Sequence, residues 1–166
     1  MSRYNAIIEN DVVNGEGICV SFFVQGCPHR CAGCFNPETW DFTGGREYTS
    51  DIKWEIIKLI SANNVQRNFS ILGGEPMSAR NLKMTEEIIT AVRAAYPYIK
   101  IYLWTGFYLH DLISLEDKDI NSILSKIDYV IDGPFEEDKK DLNLKLRGSS
   151  NQKIWEKMEN GWTIKE

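Results

Sequence analysis

Apolar and polar positions along the chain fall into blocks that read alternately as strand and helix. ICVSFFVQG (18–26) is a short apolar run closed by glycine, the pattern of a buried strand. SDIKWEIIKLISA (50–62) offers Ser50 as an N-cap, followed by Trp54, Ile57 and Ile60 at helical spacing. NFSILGG (68–74) is a second strand that runs into a glycine turn. SARNLKMTEEIITAVRAAY (78–96) follows as a helix, with Ile88, Ile89, Val92 and Ala95 on one stripe and Pro97 just beyond its end. KIYLWTG (100–106) is a third strand, a helical stretch covers 119–125, and IDYVIDGP (127–134) is a fourth strand.

Strands alternating with helices predict βαβ units and a mostly parallel sheet, hence an α/β fold. No repeat, low-complexity segment or linker divides the chain, so residues 1–166 are expected to form one domain. Each predicted strand ends in a glycine-bearing turn: QGC, LGGEP, WTG and DGP. Ligands of parallel α/β sheets bind beyond the carboxyl ends of the strands. The glycines and their neighbours are therefore expected on one edge of the sheet.

Composition narrows the function. The 166 residues are 43% hydrophobic and 26% charged, as in ordinary soluble proteins. A net charge of −5 and the lack of a basic stripe argue against nucleic acid as a partner. The mildly basic DLNLKLRGSSNQK (141–153) follows the acidic FEEDKKD (135–141) and reads as a solvated loop. No apolar run is long enough to span a bilayer, and acids interrupt the N-terminal MSRYNAIIENDVVNGEG, which is not a signal peptide. The expected compartment is the cytoplasm, with no membrane partner. There, clustered cysteines point to a metal or redox site rather than to disulfides.

Three of the four cysteines lie in GCPHRCAGCFNPETW (26–40), spaced C-x3-C-x2-C: Cys27, Cys31 and Cys34. A disulfide and three unrelated buried thiols are the weaker readings. A structural zinc site needs a fourth ligand, which His29 or Cys19 could supply. Against it, Cys19 sits in an apolar strand, and no second ligand pair follows elsewhere. The remaining reading is a four-iron cluster on three thiolates. Cubane clusters ordinarily take four cysteines, so three leave one iron open to a substrate or cofactor. On that reading His29 is a polar loop residue without a ligand role.

C-x3-C-x2-C with Phe35 after its last cysteine resembles the signature of radical S-adenosylmethionine enzymes. LGGEP (72–76) looks like their glycine-glycine-glutamate motif, in the right order and after a strand. Taken alone it is a tight turn. Four further stretches resemble those of anaerobic ribonucleoside-triphosphate reductase activating proteins: DVVNGEG (11–17), the cluster loop with Asn36 and Trp40, LWTGF (103–107), and VIDGPF (130–135) with RGSSNQ (147–152). Glu16 stands where that family usually has proline, and Phe107 where it has tyrosine.

The resemblance implies a compact partial (βα) barrel. It implies a [4Fe-4S] cluster on Cys27, Cys31 and Cys34, with S-adenosyl-L-methionine on the open iron. Cofactor binding would then fall to Gly33, Cys34, Phe35 and Asn36 of the loop and to Gly73, Gly74 and Glu75, which would hold the methionyl end. Thr105 and Asp132 are further candidates at strand ends; for Asp132 the plainer reading is a turn former. Arg147 either pairs with a surface acid or meets the cofactor or partner. No side chain is assigned the chemistry itself. The implied reaction is reductive cleavage of the cofactor to methionine and a 5′-deoxyadenosyl radical. That radical would take hydrogen from a C-terminal glycine of a large anaerobic ribonucleotide reductase subunit. An electron donor such as flavodoxin or ferredoxin would feed the cluster. An activase for another glycyl-radical enzyme, a small-molecule radical enzyme and a non-catalytic zinc module remain the alternatives.

Overall fold

A computed structural model describes all residues, 1–166. Eight strands form one mixed sheet: β1 (Arg3–Asp11), β2 (Cys19–Gln25), β3 (Arg46–Glu47), β4 (Asn68–Gly73), β5 (Ile101–Trp104), β6 (Tyr129–Asp132), β7 (Lys153–Met158) and β8 (Gly161–Ile164). Four helices accompany it: α1 (Ser50–Ile60), α2 (Leu82–Ala95), α3 (Leu109–Ser114) and α4 (Lys118–Lys126). The strand order is β3-β1-β2-β4-β5-β6-β7-β8, so β3 and β8 are the two edges of an open sheet.

The four strands read from the sequence, β2, β4, β5 and β6, pair in parallel at the centre. They are nearly continuous apolar runs because both their faces are covered. The expectation of a mostly parallel sheet needs correction: β1, β3, β7 and β8 add four antiparallel pairings. These flanking strands carry mixed polarity, since less of each is covered, and β7 and β8 form a hairpin closed at Gly161.

The helices pack on one face. Ile56, Ile60, Ile88, Ile89, Val92, Ile120 and Ile123 join Val20, Phe22, Phe69, Ile71, Ile101, Leu103 and Val130 in one core of 24 buried residues. Two expected stripes are shifted. In α1 the buried positions are Ile56 and Ile60, one turn apart, while Trp54 is exposed beside Lys53. Thr49, not Ser50, is the residue before the helix. In α2 the stripe runs Leu82, Met84, Thr85, Ile88, Ile89 and Val92, and Ala95 is exposed. That helix begins at Leu82 rather than at residue 78; Asn81 is its N-cap, and its side chain serves carbonyls of neighbouring turns instead of the helix's own N–H groups.

The opposite face carries Ser21, Ser70, Tyr102, Tyr129 and Ile131. Loop 12–18 covers its lower end, held by the buried Asp11 carboxylate, which accepts from Ser21 Oγ at 2.7 Å and from Val13 N at 2.8 Å. Burial works against ionisation of Asp11, but these hydrogen bonds outweigh it and hold the carboxyl below the usual range. Tyr102 stacks on Tyr129 at 4.7 Å. The upper end, beyond the carboxyl ends of the central strands, is open. No helix is long and apolar enough to cross a membrane.

Two arginines close the first two crossovers. Arg67, 4% exposed, donates through Nη1 to the carbonyls of Leu59, Ala62 and Val65 and through Nε to Asn10. Arg93 does the same for Tyr96, Pro97 and Ile99 and meets Asp128 at 2.6 Å. Each guanidinium gathers carbonyls at or just beyond the end of a helix into one cluster. Arg67→Met is therefore expected to cost about 3 kcal/mol, because it strands several acceptors at once. Urea unfolding should show a lower midpoint at an unchanged slope.

Candidate functional site

Gly73 closes β4, and Gly26, Gly74, Gly106 and Gly133 follow the carboxyl ends of the four parallel strands, as expected. Two of them are forced by backbone approaching backbone. Gly73 has φ +102°, and a Cβ there would lie 2.9 Å from Phe23 Cα. A Cβ on Gly74 would lie 2.5 Å from the Gly26 carbonyl oxygen. The β4 turn thus crosses directly over the end of β2. Gly74 N donates to Val24 O at 2.9 Å and Glu75 N to Gly26 O at 2.8 Å, locking the two turns together. Asn81 completes the lock from below: its amide donates to the carbonyls of Gln25, Gly26 and Glu75 at 3.0–3.3 Å.

The cysteine loop springs from this junction. Its base is clamped by Gly26 N to Thr39 O at 2.7 Å and Cys27 N to Trp40 O at 3.1 Å. Within it, Cys34 N donates to Cys31 O, and Asn36 N points at Cys34 Sγ, 3.4 Å away. All four cysteines are free thiols. Cys27, Cys31 and Cys34 line one cavity of about 460 Å³, together with Phe35, Asn36, Gly73, Gly74, Glu75 and Thr105. That volume suits a cofactor-sized ligand. Gly33 and Asp132 are not among the lining residues. Gly33 (φ +75°) packs against the Glu137 side chain, and the Asp132 carboxylate accepts from Leu109 N at 2.8 Å.

Glu75 is fully buried. Its Oε2 accepts from Met77 N at 2.9 Å and Thr105 Oγ1 at 2.8 Å, and its Oε1 from Gly106 N at 2.7 Å. His29 Nε2 lies 2.7 Å from Oε1. The sequence reading left His29 without a role; its proximity to a glutamate 46 positions later is invisible in one dimension. Asn81 was missed for the same reason. The lining also includes Trp104 and Arg147. Trp104 Nε1 donates to Leu146 O at 2.8 Å, and the Arg147 guanidinium reaches Gln152 O at 3.3 Å and Glu166 at 3.4 Å. Gln152 in turn accepts from Gly148 N and donates to Gly133 O, so RGSSNQ is a knot that walls one side of the cavity.

The donor set fits an iron–sulfur cluster better than a single zinc. The loop supplies three thiols and no fourth cysteine, whereas a structural zinc site takes four ligands. A cubane takes one thiolate per iron, so its ligands stand further apart. Cys19 is at the far end of seven-residue β2, about 20 Å from the loop. His29 is already engaged by Glu75. Of the two candidate fourth zinc ligands, Cys19 is thus out of reach of the loop. Burial, with Glu75 nearby, pushes the Cys27 thiol up to about 11. Binding of a metal there would have to release the thiol proton.

Comparison with known proteins agrees. A family model described as a 4Fe-4S single cluster domain matches residues 13–155. The anaerobic ribonucleoside-triphosphate reductase-activating protein of Vibrio cholerae is 36% identical over 153 residues, covering 92% of this chain and 96% of that protein. The proteins of the same name from phage T4 and Escherichia coli K12 are each 33% identical, over 96% and 92% of this chain and 97% of their own lengths. The chain belongs to the anaerobic ribonucleoside-triphosphate reductase-activating protein family. The matched 4Fe-4S model spans the three-thiol loop. In this family member, Thr105→Val removes a donor from the buried Glu75 carboxylate. The expected cost is about 2 kcal/mol in chemical denaturation, while Thr105→Ser should recover most of it.

Proposed function

We propose that the chain activates an anaerobic ribonucleoside-triphosphate reductase by placing a glycyl radical on the reductase's large subunit. The observation that carries this is one cavity, at the carboxyl ends of four parallel strands, lined by three free thiols and a buried carboxylate. Cys27, Cys31 and Cys34 would hold a [4Fe-4S] cluster, each thiolate on one iron. Glu75 would take the ammonium group of S-adenosyl-L-methionine, with Gly73 and Gly74 fixing the turn that aims it. Phe35 and Asn36 follow the last thiolate and face the same cavity. When bound, the cluster and S-adenosylmethionine supply one-electron reductive cleavage of a sulfonium carbon–sulfur bond, the source of hydrogen-abstracting power.

The residues of the chain orient and shield. Trp104, Phe35 and Phe135 give the cavity apolar walls, and the RGSSNQ knot closes one flank. The central strands form a partial (βα) barrel of one domain, residues 1–166, whose open side the glycine-bearing segment of the reductase covers. A flavodoxin or ferredoxin in the cytoplasm would be the electron donor. In this reading the chain is a radical S-adenosylmethionine oxidoreductase, with the cluster and cofactor doing the chemistry.

Anaerobically purified protein is expected to be brown, with about four irons per chain. Mixed with reductase, S-adenosylmethionine and a reductant, it should raise a glycyl doublet in electron paramagnetic resonance. Cys31→Ala should lose the cluster and the doublet together. A colourless protein carrying one zinc would overturn the cluster. Cofactor cleavage without a doublet would overturn the partner.

A further inference from the structure

Glu75 has all four of its acceptor positions filled. Three of the donors belong to the frame. Met77 N is two residues along the same turn, and Thr105 Oγ1 and Gly106 N stand at the end of β5. None of these can leave without distorting the sheet edge. The fourth, His29 Nε2, comes from the cysteine loop. The His29 ring lines the cavity, edge-on to Phe107 at 4.6 Å. It packs so closely on Gly106 that a Cβ there would lie 2.5 Å from ring Cδ2. The imidazole thus occupies the one face of the carboxylate that opens to the cavity.

We propose that His29 is a displaceable plug: it holds the cation position of Glu75 in the cofactor-free protein and yields it to the ammonium of the incoming cofactor. This rests on the reading that Glu75 takes that ammonium. The physical need is plain. A carboxylate with no access to water and one donor missing would destabilise the empty protein, so a loop residue fills the gap. Cofactor binding then becomes an exchange of donors, and its affinity is reduced by the free energy of releasing His29. His29 lies between Cys27 and Cys31, so the release moves the cluster loop. Filling of the carboxylate site and the setting of the thiolates are thereby coupled.

The test uses two readouts on opposite sides of the exchange. Thermal unfolding is followed on the cluster-free protein, and binding of S-adenosylmethionine is measured by calorimetry on the anaerobically reconstituted protein without reductant. His29→Ala is expected to lower the melting temperature by about 4 °C and to tighten cofactor binding about fivefold. His29→Gln, which keeps a donor, should restore both values towards wild type. Unchanged or weaker binding by His29→Ala overturns the plug, since a residue that only supports the site cannot improve affinity when removed. Glu75→Gln separates the two levels. If it leaves affinity untouched, the ammonium reading itself fails. If it weakens binding while His29→Ala does not tighten it, only the plug fails.

Discussion

A carboxylate sealed from water must be satisfied by the protein around it, and the Glu75 carboxylate organises the site on those terms. Its oxygens collect Met77 N from its own turn, Thr105 and Gly106 from the next strand end, and His29 from the cysteine loop. Three segments distant in sequence are thereby held to one point. The desolvation cost of a buried charge is offset only where such donors are complete. Thr105 is accordingly more than a strand-end residue: its hydroxyl bonds Glu75 and accepts from Phe107 N at 3.1 Å, so it shapes the turn as well.

That point is placed by an equally strict backbone constraint. The β4 turn crosses the end of β2 closely enough that neither Gly73 nor Gly74 has room for a side chain. Asn81, the N-cap of α2, binds three carbonyls at the crossing. The glycine pair therefore acts first on geometry. It sets where the cysteine loop leaves the sheet and where the carboxylate ends up. Any contact with a ligand comes on top of that.

The central parallel strands were legible because each is a continuous apolar run closed by glycine, and both features follow from burial at the middle of a sheet. The flanking strands were not, because β1 is half-exposed and lacks a clean period of two. The β7–β8 hairpin did carry a local signal in Asn160-Gly161 between two short strands, but it lies beyond the last helix of the alternating pattern. Trp54 misled because three-residue spacing alone does not fix a stripe; Ile56 and Ile60, four apart, are the buried pair. At the site, the thiols and glycines were readable from spacing. Asn81, Trp104 and the His29–Glu75 pair were not, since each gains its meaning from a partner more than 25 positions away.

The three-thiol loop then follows from the same economy of ligands. A loop meant to close a metal site would bring its fourth donor with it, and the two nearest candidates are both committed elsewhere. Cys19 is buried at the opposite end of β2, its thiol pushed up to about 11 chiefly by desolvation. His29 Nε2 rests on Glu75 in the cofactor-free protein. With the cluster held by three thiolates as proposed, one position would lack a protein ligand, in the same cavity that Glu75 lines. On the proposed reading, an iron left open by three thiolates would stand in the same cavity as a carboxylate whose last donor sits on the cysteine loop, so one small molecule could meet both. An amino acid moiety suits both, its carboxylate offering oxygen to the metal and its amino group N–H donors to Glu75.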